Sequence, residues 1–290
     1  MADPDMRFAQ TTPLNYFATL VAEDAGLNLL EAAISLAQDD HPQLDVQAVL
    51  ADVDTLARRL KERIPKDAAP AHRLRLLTRF FHGELGFAGN LNNYYAVDNS
   101  FIHRVLETRR GLPIALAVLM LELAEQVGLR AAGVAFPGHF LIKCKVGLGE
   151  AVIDPFTGES LSPARLDERL ALYRQGSGLP DDLELPLEFF LRAAAPRQIL
   201  ARMLRNLKEV HRAAQDWQRL LAVQQRLVVL LPGDLAERRD RGLVLDALGA
   251  SAAAADDLAA YLAERGDAPD AAELRARLAV LLEQGQAPLQ

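Results

Sequence analysis

The chain has 290 residues, of which 50% are hydrophobic and 24% charged, with a net charge of −7. Apolar content at that level excludes wholesale disorder, and the length exceeds a usual domain of about 100–200 residues, so one larger and one smaller domain are expected. The acidic balance, with arginines scattered among acids, excludes direct nucleic-acid binding through a basic stripe, and a single cysteine, Cys144, excludes an internal disulfide and a cysteine-based metal cluster. A reducing, cytoplasmic setting is expected. The opening segment MADPDMRFAQ carries acids and no apolar core, so neither a secretory signal nor a membrane anchor is expected there. No cofactor and no metal site are expected.

Residues 13–86 predict packed helices with repeated punctuation. Pro13 opens a helix running to about Asp24, and Gly26-Leu27-Asn28 turns into LLEAAISLAQ, which ends at His41-Pro42 because the residue before proline is biased away from helix. Val46, Val49, Leu50, Val53, Leu56, Ala57 and Leu60 recur at spacings of three and four, the signature of an amphipathic helix. After Pro65 and Pro70, Leu74, Leu77, Phe80, Phe81 and Leu85 form another stripe. His72 and His82 in this segment are expected to be structural. Gly86, Gly89, Asn90, Asn92, Asn93, Tyr94 and Tyr95 then form a loop, and Asp98-Asn99-Ser100 caps the short helix FIHRVLET. Such a loop lines a cleft or covers a core edge.

Arg109 to Leu129 organises the chain. Gly111 breaks the preceding segment, Pro113 suits a first helical position, and Gly128 supplies a left-handed stop. No residue from Leu112 to Leu121 is charged or strongly polar, so this helix belongs in the middle of a domain. Glu122 and Glu125 interrupt the run too early for a bilayer span of about 20 residues. Beyond Gly128 the pattern alternates: Ala131 to Phe136, His139 to Val146 and Ala151 to Asp154 are three predicted strands joined by short turns. Helix followed by such strands predicts an α+β arrangement, an antiparallel sheet packed on the central helix.

His139 opens the second predicted strand and Asp154 closes the third, so hairpin pairing brings imidazole and carboxylate together. The pair has the layout of a general base and its orienting acid; it equally suits a hydrogen bond that locks the hairpin.

The residues Arg110-Gly111-Leu112-Pro113 at the helix start, Gly138-His139-Phe140 on one strand and Ile153-Asp154-Pro155 on the next resemble the transglutaminase-like core. There an Arg-Gly-x-Cys helix start, a strand histidine and a following Asp-Pro form a Cys-His-Asp triad. More specifically, these motifs together with Tyr94-Tyr95, Asn99-Ser100, Phe136-Pro137 and Phe156 resemble the bacterial SirB-type proteins. Those are a transglutaminase-like domain followed by tetratricopeptide repeats, described as regulators of gene expression, and the resemblance covers nearly the whole chain. It implies that His139 and Asp154 occupy the catalytic histidine and aspartate positions, whereas the nucleophile position holds Pro113, which has no reactive group. Cys144 does not substitute, since five residues along a regular strand place it about 16 Å from His139 on the opposite face. Ser100 or Tyr95 reaching in from the loop stays open.

Ser162-Pro163 opens a helix ended by Gly176-Ser177-Gly178, and a loop with Asp181, Asp182 and Glu184 leads to Pro186. The expected division is residues 1–185, transglutaminase-like, and 186–290, tetratricopeptide-like helical repeats. Helices are predicted at 197–214, 217–231, 235–248, 251–264 and 270–283. Pairs recurring at roughly 34 residues fit tetratricopeptide repeats, and about two repeats would need to dock on the first domain. Trp217 is expected in the core, Arg238, Arg239 and Arg241 on a solvated face with internal ion pairs, and His211 likewise on the solvated face of a polar helix.

These features predict a non-catalytic, transglutaminase-like adaptor or regulator, with a protein partner held by the C-terminal repeats and no membrane contact. The alternatives are a cysteine-independent hydrolase or acyl/amide transferase using His139 and Asp154, and a small-molecule or peptide sensor.

Overall fold

The computed structural model describes residues 12–177 and 185–286. The opening ten residues and the acidic loop at 178–184, both interpreted above from sequence, lie outside the described residues.

Helices α1 (Pro13–Leu20), α2 (Leu29–Ser35), α3 (Val46–Lys61) and α4 (Pro70–Thr78) form the first layer. Their starts are set by local chemistry: Thr12, Asn28 and Asp45 accept hydrogen bonds from backbone N–H groups of the first turns. The first helix stops at Leu20, short of the expected Asp24. The stripe after Pro70 is not one continuous helix, because α4 widens into a π-helical turn at Arg79–Glu84. That widening lets the adjacent Phe80 and Phe81 both be fully buried.

After α5 (Ile102–Thr108), Arg109 adopts a left-handed φ of 59° and ends the helix. Helix α6 (Pro113–Gln126) then crosses the middle of the domain, and Ile114 through Met120, with Leu123 and Ala124, are at most 3% exposed. An all-apolar surface has this consequence, because each buried aliphatic side chain contributes about 1.5–3 kcal/mol and no face gains by meeting water.

Two short strands, β1 (Ala88–Gly89) and β2 (Arg110–Gly111), pair in parallel just before α6. The main sheet is antiparallel in the order β3-β4-β5-β6, formed by Ala131–Val134, Leu141–Val146, Gly149–Ile153 and Ser160–Leu161. One face packs on α6 through Phe140, Ile142, Cys144 and Ile153; the other meets α7 (Pro163–Ser177) through Val134, Leu141, Val152, Leu166 and Leu170. The sheet corrects one expectation. His139 does not begin a strand: it sits in the turn after Pro137-Gly138, two residues before β4. Phe136 likewise follows β3 and is buried as part of that turn.

The rest is α8 (Leu187–Phe190), α9 (Pro196–Ala213), α10 (Trp217–Leu230), α11 (Leu235–Ala247), α12 (Ser251–Glu264) and α13 (Ala271–Gln286). The fold is therefore α+β in its first part and all-α in its second. The helical part docks on the first. Arg197 at the start of α9 donates to Asp24, to the Val21 carbonyl and to the Leu230 carbonyl. Arg226 in α10, only 1% exposed, pairs with Asp39 and lies over the Phe17 ring.

Three expectations for this region are corrected. Trp217, the first residue of α10, is half-buried and lines a groove. Arg238 and Arg241 pair across helices with the buried Asp257, and Arg239 reaches Asp270 as well as its neighbour Asp240, so the cluster ties α11 to its successors. His211 is buried near Asp40 and Asp216, and burial lowers its pKa against the pull of both carboxylates.

Candidate functional site

The site lies at the end of the sheet where β5 runs into Pro155. Asp154 is buried, and its backbone is fixed by two hydrogen bonds: its N–H donates to the Glu159 carbonyl and its carbonyl accepts from Gly158. Its carboxylate Oδ1 accepts from the Phe156 N–H and lies 2.9 Å from Nε2 of His139, and Oδ2 accepts from Arg169 of α7 at 3.0 Å. Burial alone would raise the carboxyl pKa. The hydrogen bond and charge of His139, the Phe156 amide and the Arg169 guanidinium together hold it below the ordinary carboxylate range. An ionised, oriented carboxylate is the result.

With Nε2 of His139 engaged by that carboxylate, Nδ1 is the ring nitrogen left for other chemistry. The side chain is 23% exposed, so the imidazole reaches solvent while its acid does not. Gly138 makes the turn that presents it, with φ at 68° and Tyr173 packed where a side chain would begin. The Phe156 ring stands edge-on to His139.

The short parallel pair connects this corner to the start of α6. The Gly89 N–H donates to the Phe156 carbonyl, and a Cβ on Gly89 would lie 2.0 Å from the Phe156 ring, so only glycine lets the ring lie flat on β1. β2 then leads directly into Pro113. Asn99, 2% exposed, braces the same junction: its carbonyl accepts from Leu112 N–H, and its side chain donates to the Asn93 and Tyr94 carbonyls and accepts from Asn90. The loop of asparagines and tyrosines thus borders the site, with Tyr94 near Phe156 and Tyr95 82% exposed.

The structure brings His139 and Asp154 together, and Pro113 is buried at the first position of α6. Cys144 is buried in β4, where desolvation pushes its thiol up to about 11. Ser100 is buried with its hydroxyl unpartnered. His82 supports the corner from beneath: its Nδ1 meets the Phe87 carbonyl at 2.8 Å, and its ring packs on Gly158 in the Asp154 turn. Arg169 escapes sequence reasoning, because an arginine in a charged helix carries no periodic signal; Asn99, expected to help cap α5, instead spends its side chain on the 90–94 loop, and no side chain caps α5.

Residues 47–205 match the transglutaminase-like superfamily, and residues 207–279 match the tetratricopeptide repeat. The first match extends into α9, the helix that packs on both parts. A UPF0162 protein of Xylella fastidiosa (strain 9a5c) is 35% identical over 249 residues, covering 86% of this chain and 87% of that protein. The UPF0162 protein YchA of Escherichia coli K12 is 28% identical over 240 residues, 82% of this chain and 86% of its own. Protein SirB1 of Salmonella typhimurium is 26% identical over 236 residues, 80% and 84% of the two chains. No solved structure matches. The chain thus belongs to the transglutaminase-like superfamily and is a SirB-type bacterial protein, its transglutaminase-like part followed by tetratricopeptide repeats.

Proposed function

We propose that this protein is a non-catalytic transglutaminase-like adaptor or regulator, in which His139 and Asp154 are the vestige of a triad. The observation that carries the proposal is Pro113 at the nucleophile position, buried and without a transferable proton. Covalent acyl transfer needs a thiol or hydroxyl beside the base. Cys144, held neutral in the core by burial, does not supply one.

Tetratricopeptide repeats mediate protein–protein contacts, which supports a partner on the helical part, with the division at residues 1–185 and 186–290. Trp217, Leu220, Leu243 and Ala247 line a groove of about 530 Å³ there, bordered by Arg212 and Arg277. By resemblance to SirB-type proteins, the regulated process is gene expression, in the cytoplasm and without direct DNA contact.

Capture on full-length protein should retain a stoichiometric partner. Ala247→Glu, at an exposed groove position, should release it and His139→Ala should keep it. Loss with His139→Ala and retention with Ala247→Glu would move the partner to the sheet corner. The partly exposed imidazole with one nitrogen uncommitted favours a second reading, a hydrolase or sensor. Acyl or amide turnover by the wild-type protein that vanishes in His139→Ala would overturn the adaptor proposal.

A further inference from the structure

A cavity of about 740 Å³ opens between α8, α9 and the chain just beyond β3, and neither His139 nor Asp154 lines it. Its charges do not cancel. Arg192, Arg202 and Arg205 line it against one carboxylate, that of Asp234, among the described residues. Arg205 is engaged by Asp234 at 2.9 Å and by Glu237 at 2.7 Å. Arg192 and Arg202 pair with no carboxylate and their side chains donate no hydrogen bond among the described residues. The cavity therefore holds two unmatched positive charges in a chain whose net charge is −7.

Both side chains are open to a ligand, Arg192 being exposed and Arg202 half-buried with accessible surface left on its nitrogens. Each is also held in place. The Arg192 guanidinium lies over the Phe189 ring, 4.5 Å from its centroid, and that of Arg202 lies over the Phe140 ring at 5.6 Å. Seating on a ring face leaves the N–H edge of a guanidinium for a planar anion. Burial works against the charge of Arg202 and lowers its pKa, yet a guanidinium stays protonated throughout the physiological range. The phenol of Tyr94, which would feel that charge, is itself pushed up by burial and stays neutral at pH 7. A half-buried cation without a counter-charge is costly, and an anion removes the cost.

The two arginines have separate supports, a ring on α8 for Arg192 and a ring at the start of β4 for Arg202. From Pro196 to Arg202 helix α9 alone rises about 9 Å, so the two side chains leave the backbone well apart. Two separate anionic groups suit that layout better than one. Phe190, Ala201 and Leu231 give the same cavity an apolar wall. We propose that this cavity binds a small organic dicarboxylate, one carboxylate on Arg202, the other on Arg192, and its carbon chain against Phe190, Ala201 and Leu231. The volume lies within the range of small-molecule sites, about 300–1,000 Å³. Because the chain as a whole repels a dianion, the attraction has to be local.

The test is calorimetric titration of the full-length protein with glutarate, adipate and suberate, with hexanoate as a monocarboxylate and phenyl phosphate as a dianion whose charges share one group. At least one dicarboxylate should bind saturably at one site, and hexanoate and phenyl phosphate should each bind at least about tenfold more weakly than the best of them. Arg202→Gln and Arg192→Gln should each weaken that dicarboxylate at least about tenfold. Arg192 is exposed, so its replacement acts without disturbing the core. Arg165→Gln, an equal loss of charge at an exposed position on α7, should leave the affinity unchanged. Absence of saturable dicarboxylate binding, binding that survives both Arg202→Gln and Arg192→Gln, or an equal loss with Arg165→Gln overturns the site. Hexanoate or phenyl phosphate binding as tightly as the best dicarboxylate overturns the dicarboxylate class.

Discussion

The sheet corner and the helical part both bury carboxylates, and they neutralise them differently. In the helical part Lys208 lies 2.6 Å from both Glu237 and Asp240, Arg205 adds a second cation to Glu237, and two arginines share Asp257. Those charges saturate one another. At the corner, Asp154 is also saturated, by Phe156 N–H, Arg169 and His139, but one of its partners is an imidazole that remains partly in solvent. A closed network holds helices together; an open one leaves a group that can still act on something outside. The difference separates scaffold from site more clearly than burial alone does.

Glu237→Ala should produce the largest loss, about 3 kcal/mol in denaturant unfolding, because it leaves Lys208 buried with half its compensation. A loss below about 1 kcal/mol would show that the helical network is no more than a surface decoration. Gly89→Ala should cost about 2 kcal/mol, since the new methyl displaces the Phe156 ring, and it should also shift the His139 ring resonances in NMR. Unmoved resonances would disconnect β1 from the corner.

Asp154→Asn sharpens the contrast through pH. The folded-state pKa of Asp154 lies below its ordinary value, so the carboxylate contributes stability above an unfolded pKa of about 3.9, and this is lost as pH falls through the folded value. The variant should be about 1–2 kcal/mol less stable at pH 7, with the gap closing below about pH 4. A gap independent of pH would mean the charge is not what matters. Smallest of all, Arg165→Ala should change stability by less than about 0.5 kcal/mol, because its pair with Glu168 is exposed on both sides.

Much of this was legible because the signals were local. The all-apolar run after Pro113, the left-handed Gly128 and the helix starts at Pro163, Trp217, Leu235 and Ser251 follow from capping, φ restriction and hydrophobic period. The corner was legible in its two named residues and not in its frame. His139 lies in a turn because Pro137 and Gly138 take up the backbone that a strand would have used. Arg169 comes from a helix on the far side of the sheet, and the β1–β2 pair is two residues long, so no periodicity announces either. The pairing of Arg238 and Arg241 escapes the sequence for a related reason: their partner Asp257 is distant along the chain, and a charge run looks the same whether it faces water or another helix.

The most direct test of the account places a thiol where Pro113 now stands and follows its ionisation by ultraviolet absorbance. The first helical turn tolerates the exchange, and Cys144, pushed up to about 11, titrates apart from the new group. If the corner is a triad lacking only its nucleophile, Pro113→Cys should give a thiolate well below the ordinary value of about 8.5, and adding His139→Ala should raise it again. An introduced thiol that titrates at the same pH with and without His139 would contradict the account.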